Sequence, residues 1–560
     1  MTSGTKRRDA VIVGGGHNGL VCAWYLARAG LKVTICEARP IVGGAAVTEE
    51  FHPGFRNSVA SYTVSLLNPR VIADMGLHGH GLRIVERPIA NFLPLDATHY
   101  LKLGGGLQRT QAEFSKFSYR DAEALPAYYA MLEEIGDVLR NLAQKTPPNL
   151  GDGMPGLLQA WRQGRLLASL TLARKADLLD LFTESASTFL EGWFESEPVK
   201  AAFGFDAVVG NYASPDSPGS AYVLLHHTFG EVNGRKGAWG HAIGGMGAIT
   251  QAMAKACAAL GVEILTNAPV RQVLVDQGKA GVGQAAGVEL ADGRRIAARI
   301  VASNVNPSLL FQSLVAPADL PADFRSRMAR YRNGSGTFRM NVALSELPDF
   351  TCLPGRTMAE HHQSGIIIAP SLAYMDAASR DARAFGWSRK PIVEMLIPST
   401  LDDSLAPPGQ HVASLFCQQF APALPNGGSW DDAREEVADL IIDTVNDHAP
   451  NFKASVLGRM ILSPLDLERT FGLTGGDIMH GHLSLDQLWA ARPVLGFASY
   501  RAPIKGLYMC GAGTHPGGGV SGNPGRNAAR EILRDRGRLA AIGHALIGFA
   551  APGRRPGVRG

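Results

Sequence analysis

The chain has few of the features that announce several kinds of protein. Its six cysteines, Cys22, Cys36, Cys257, Cys352, Cys417 and Cys510, show no CxxC or CxxxxC spacing. That scatter argues against the paired thiols of a disulfide reductase and reads as reduced core residues. No stripe of Lys and Arg interleaved with aromatics occurs, and a net charge of +4 is small for 560 residues, so nucleic acid is not an expected partner. With 46% apolar and 19% charged residues, neither wholesale disorder nor a multi-span membrane protein is expected. The stretch Met1 to Arg8 before the first apolar strand is too short for a secretory or transit signal, which makes the cytoplasm the expected location, or the mitochondrial matrix in a eukaryotic cell.

What is present begins with Asp9-Ala-Val-Ile-Val-Gly14-Gly15-Gly16-His17-Asn18-Gly19, followed by a second apolar strand, Lys32 to Cys36, and by Glu37. Strand, glycine turn, helix, strand and acidic residue fall where a dinucleotide-binding βαβ unit requires them. Gly14 permits the tight turn, Gly16 lets a pyrophosphate approach the backbone, and Gly19 lets helix and strand pack closely. The helix, read as Asn18 to Ala29 with Gly30 at its C-terminal cap, points its positive end at the phosphates. Glu37 is placed to accept ribose hydroxyls, Arg39 to lie near the ribose, and Gly43-Gly44 to lie beside the pyrophosphate.

A chain of 560 residues exceeds what one core serves, and the pattern predicts two interleaved domains. Residues 1–70, 236–308 and 463–535 read as a discontinuous nucleotide domain, and 71–235 with 309–462 as a second domain of mixed strands and helices. Long helical stretches are expected at Arg120 to Asn141 and Lys175 to Phe194. Ala248 to Leu260 reads as a helix, and Val262–Leu265, Val270–Val275 and Arg299–Asn304 as strands. Residues 536–560 form a basic, amphipathic tail. Within it Leu539, Ile542, Leu546 and Phe549 share one helical face, too short to span a bilayer. That face is suited to peripheral membrane contact, to docking on the protein itself, or to another protomer of a homo-oligomer.

The stretch Gly506 to Ser521 gives a strand, a glycine-rich loop and a helix starting near Gly522. A nicotinamide enzyme has no need of this distal unit, whereas a flavin enzyme uses backbone N–H groups at such a helix start to stabilise charge on the reduced ring. FAD is therefore the expected cofactor. A second fingerprint for NAD(P)H is not expected, because Gly244-Gly-Met-Gly247 follows no clear strand and Gly104-Gly-Gly106 precedes no helix. Oxygen or a quinone is the expected electron acceptor.

From Gly14 to Arg530 the sequence resembles the FAD-dependent phytoene desaturase and amine oxidase superfamily. The segments Gly43 to Glu50, Trp193 to Pro198, Tyr222 to His227, Ser484 to Gln487 and Gly511 to Pro516 are similar to those of a narrower group named for a pyridine nucleotide-disulfide oxidoreductase domain. The oxygenase-type β-carotene ketolases are more distant. The resemblance implies an α/β fold: a glutathione-reductase-type FAD domain interleaved with an α+β substrate domain. It implies FAD contacts at Gly14, Gly16, Gly19, Glu37, Arg39, Gly44, Ala45, Val270, Gly513 and Val520, with Gly15, His17 and Asn18 completing the first loop. Dehydrogenation of an apolar, isoprenoid or polyene, small molecule is the first functional reading. The alternatives are a non-enzymatic binder of lipidated partners, like the Rab GDP-dissociation inhibitors of the same superfamily, and a regulatory flavoprotein.

Proton handling at such a site falls to His480, His482 and His515, from two stretches expected to converge on the ring. His226-His227 and His361-His362 are not read as metal ligands, since neighbours on a strand point to opposite faces and no partner has matching spacing. Asp486-Gln487 reads as a helix start capped by Ser484.

Overall fold

A computed structural model describes residues 6–149, 153–226, 228–277 and 283–548. The side chain of His226, the whole of His227, the side chains of 538–548 and all of 549–560 lie outside the described residues, and with them the expected histidine pair and the apolar face of the tail.

The strand Lys6–Val13 alternates its side chains between two cores: Ala10 and Ile12 enter one buried cluster, Val11 and Val13 the other. This is the period-2 geometry of a sheet covered on both faces. Each fully buried Val or Ile here is worth about 1.5–3 kcal/mol relative to exposure. The sheet runs Glu263–Leu265, Val33–Cys36, Lys6–Val13, Arg295–Ser303, Gly283–Leu290, Val270–Gln277, with Leu507–Met509 pairing in parallel along the C-terminal half of Arg295–Ser303. Its first four strands are parallel, and the last two form an antiparallel extension. The helices His17–Arg28, Met246–Ala259 and Asn523–Gly548 cover one face. Close packing of the first and last of these needs Gly525, where an added Cβ would stand 2.1 Å from the Asn18 carbonyl.

Packing extends the first domain's cores beyond the expected sequence boundaries. Val71, Met75, Leu77 and Leu82 join the cluster over the three helices, and Leu310, Phe311, Phe324 and Met328 join the one on the opposite face.

The second sheet has the order Val456–Leu462, Thr337–Leu344, His411–Phe420, Trp387–Leu396, Gly365–Ile368, Asn91–Pro94, Tyr100–Leu103. It is antiparallel except where Gly365–Ile368 meets Asn91–Pro94. One face buries Phe338, Met340, Val342, Met395 and Leu415 under the helix Trp430–Asn446. The other carries Arg339, Asn341, Glu394 and Phe416, all buried.

Three local expectations change. The helical stretch 175–194 is two helices, Leu172–Thr183 and Ala186–Trp193, because Ser185 accepts from the Thr188 N–H and starts a new one. Gly104-Gly-Gly106 does precede a helix, Leu107–Phe114, but the strand before it is the edge of the antiparallel sheet, so no nucleotide-binding βαβ unit results. Likewise Gly240–Ala242 is a short strand before Gly244 to Gly247; it pairs antiparallel with Ile84–Glu86, away from the parallel sheet.

Candidate functional site

The glycine-rich turn is held from three sides. Gly14 donates to the Cys36 carbonyl at 2.8 Å, and Gly15 donates to Glu37 Oε2 at 2.7 Å. The other carboxylate oxygen of Glu37 accepts from the Arg39 N–H at 2.9 Å. Gly43 bridges to Gly16 and donates to the Gly15 carbonyl at 2.9 Å. Gly43-Gly44 is therefore part of this turn's wall and not a free surface turn.

Above the turn lies a cavity of about 470 Å³. Gly14, Gly16, His17, Asn18, Glu37 and Arg39 line it from the first strand pair. Gly44, Ala45, Val270 and Val520 line it from more distant segments. Gly15, Gly19 and Gly513 shape it from behind: an added Cβ on Gly19 would meet the Gly14 carbonyl at 2.3 Å, and one on Gly513 would meet Pro307 at 2.2 Å.

The three histidines do not converge. His480 lines the cavity, His515 lines a neighbouring chamber of about 570 Å³, and His482 lines neither. Gly481, with φ +143°, reverses the chain between His480 and His482 in a space closed by the Tyr331 hydroxyl. His515 Nε2 is 3.1 Å from the Leu142 carbonyl, which anchors it to a helix of the other domain. Burial and nearby charge, from His480 for His17 and from Arg492 for His480, hold His17 down at about 3 and His480 at about 4; burial holds His515 at about 4. All three rings are neutral at pH 7.

Sequence reading missed what holds His480. Asp477 accepts from the Gly334, Met479 and Gly481 N–H groups, and fully buried Arg492 donates to the carbonyls of Met479, Gly481, Gln487 and Ala512. Together they fasten the loop 477–481 to the glycine-rich loop. Asn304 is also new: its Nδ2 fills the space where a side chain on Gly16 would stand. A polar residue just after a buried strand was the available signal for it. Ser484 does not cap a helix; its hydroxyl donates to Asp486, whose carboxylate pairs with Arg332. His361 and His362 are buried with rings 3.9 Å apart, and among the described residues no group of three His, Cys, Asp or Glu is placed to hold a metal.

Three polar atoms on cavity-lining residues are buried without a partner: Asn18 Oδ1, Arg39 Nη1 and His480 Nδ1. They stand at the first helix, past the second strand and in the loop after Asp477, the spread of hydrogen-bonding positions that an extended dinucleotide would satisfy. The residues therefore fit FAD.

Known proteins of similar sequence and fold agree with this fit. The model of the flavin containing amine oxidoreductases matches residues 19–348. The chain is 41% identical over 546 residues to pyridine nucleotide-disulfide oxidoreductase domain-containing protein 2 of Rattus norvegicus, covering 94% of this chain and 93% of that protein. It is 26% identical over 559 residues to one of the limonene dehydrogenase subunits of Castellaniella defragrans, covering 96% of each. A redesigned putrescine oxidase shares the fold with a TM-score of 0.57 at 18% identity, over 95% of this chain and 100% of that one. The chain belongs to the flavin-containing amine oxidoreductase family and is an FAD-dependent oxidoreductase.

Proposed function

We propose that the enzyme takes hydride from an apolar small molecule, of the isoprenoid or polyene kind, held between the two domains. The observation that carries this reading is the lining beyond the nucleotide cradle: Leu66, Leu67, Val209, Ile249 and Phe416 wall the cavity. Leu66 and Leu67 are shared with the second chamber, whose walls include Leu142, Leu167, Leu178 and Phe182. An apolar body longer than the first cavity has space to extend there, and desolvation favours it. A relative named for limonene, an isoprenoid hydrocarbon, supports the same class.

FAD supplies the hydride acceptor. The protein's part is to orient the C–H bond and exclude water. The cation left by hydride loss sheds a proton from the neighbouring carbon as the double bond forms, and that proton is acidic enough for the weakly basic His480, with its pKa at about 4, to take it and pass it on to solvent. Electrons leave to oxygen or a quinone.

Anaerobic mixing of the yellow holoenzyme with isoprenoid hydrocarbons, polyenes and aliphatic amines tests the reading through bleaching of flavin absorbance near roughly 450 nm. Bleaching by the apolar compounds is expected. Bleaching by amines alone, or a colourless protein that takes up no FAD, overturns it.

A further inference from the structure

Behind the apolar walls of the cavity lies a layer of buried charge. In the second sheet Arg339 stands opposite Phe416, and Phe416 opposite Glu394, so three side chains form a row across adjacent strands on one face. Phe416 lines the cavity, which fixes that face as the one turned toward it. Tyr62, also on the wall, stacks on Phe416 with ring centroids 4.7 Å apart and donates its hydroxyl proton to Glu394. The Arg339 guanidinium lies 4.9 Å from the Tyr62 ring. From the other side Arg87 donates through Nη2 to the hydroxyl of Thr63, a further wall residue.

Two donors in this group are left over. Arg87 Nη1 and Arg339 Nε are buried and have no hydrogen-bond partner. Charge is also out of balance. Two guanidinium groups, Arg87 and Arg339, face the one carboxyl group of Glu394, whose charge acts on both. One positive charge thus has no counter-charge in a place that water does not reach, and a dry, unbalanced cation calls for an anion. Arg339 Nε is enclosed between rings and strand, whereas Arg87 Nη1 belongs to the guanidinium already bonded to a wall residue.

We infer that the substrate of this site carries a carboxylate, received by Arg87 Nη1 beside Thr63, with its apolar body lying along Tyr62, Phe416 and Leu66. The inference deepens the proposed function and rests on it, naming the polar end of an otherwise apolar molecule. A guanidinium is suited to this task because its charge is permanent and its N–H groups lie in one plane.

The test uses the holoenzyme with octanoate, octan-1-ol and octylamine, three probes with the same chain and different ends. Binding is read from the perturbed flavin spectrum and, independently of flavin, from the shift in thermal unfolding. Octanoate is expected to bind at least about tenfold more tightly than octan-1-ol, and octylamine more weakly than either. Arg87→Met is expected to bring octanoate to the level of the alcohol, and Arg87→Lys to restore part of the difference. Equal binding of the three probes, preference for octylamine, or an Arg87→Met variant that keeps its octanoate affinity overturns the inference. The wild-type probe series decides the matter if Arg87→Met does not fold. Failure of the flavin reading is distinguishable, since it shows as a colourless protein while the thermal shifts still report the preferred end group.

Discussion

Gly19 sits so close to the Gly14 carbonyl that a Cβ on Gly19 would stand 2.3 Å from the oxygen. The contact joins the first helix to the end of the first strand, and neither partner can rotate away because the obstructing atom is backbone.

Gly19→Ala must therefore push the helix off the strand and widen the turn that faces the pyrophosphate. Loss of most bound FAD is expected, with stability lowered by about 1–3 kcal/mol from overpacking. The flavin-to-protein absorbance ratio and a urea titration check both outcomes. Gly30→Ala is the control: nothing lies within 4 Å of its added Cβ, although its φ of +86° still strains the cap, so flavin content is expected to be unchanged.

Acid destabilises the fold through its buried imidazoles. His17 and His361 are held at about 3, and His480 and His515 at about 4, against an ordinary value of 6.5. Burial is the first cause in each case. Between these limits the unfolded chain binds protons that the native protein refuses, so stability rises with pH across that window. The melting temperature is expected to be level above about pH 7 and to fall as the pH drops from 6.5 toward 4. His515→Gln is expected to lessen that slope, as measured by scanning calorimetry over the range.

Arg492→Met removes a charge whose guanidinium satisfies four backbone carbonyls in a fully buried position. Buried carbonyls are left without a donor, at about 1–3 kcal/mol each, and Asp477 keeps its three N–H donors but loses a nearby charge that favours its ionised form. The loop bearing His480 is expected to become protease-sensitive before the rest of the chain. Limited proteolysis with mass mapping reads this directly.

All six thiols are free and buried, and burial pushes those of Cys36 and Cys257 up to about 12. The hydrogen bond with Cys22, and then burial, raise Cys510 well above its ordinary value. Native protein is expected to react with an aromatic disulfide reagent hardly at all, and denatured protein to release six equivalents. Rapid labelling of two thiols in the native state would restore a dithiol role.

The sequence showed most where chemistry is local. From Gly14 to Glu37 the turn, the helix and the acidic residue lie within one βαβ unit, so spacing alone defines their geometry. The FAD domain and its cofactor follow from that unit and from the loop at Gly511, and the family from the resemblance of segments spread between Gly43 and Pro516. The charged layer behind the cavity wall was not readable. Arg339, Phe416 and Glu394 become neighbours through the pairing of three strands, and nothing in their own segments signals which face turns inward. The histidines show the converse: His480 and His482 are close in the chain, yet a single glycine sends them to different surroundings. Core boundaries were also hidden, because Val71 and Phe324 are apolar residues whose partners lie in distant segments.

The tight abutment of Gly525 on the Asn18 carbonyl has a consequence in time. The first glycine turn is synthesised long before the helix that braces it. A nascent chain carries the fingerprint long before it possesses a site, and the yellow cofactor is held only once that helix has been made. Chains halted before Asn523 are expected to emerge colourless.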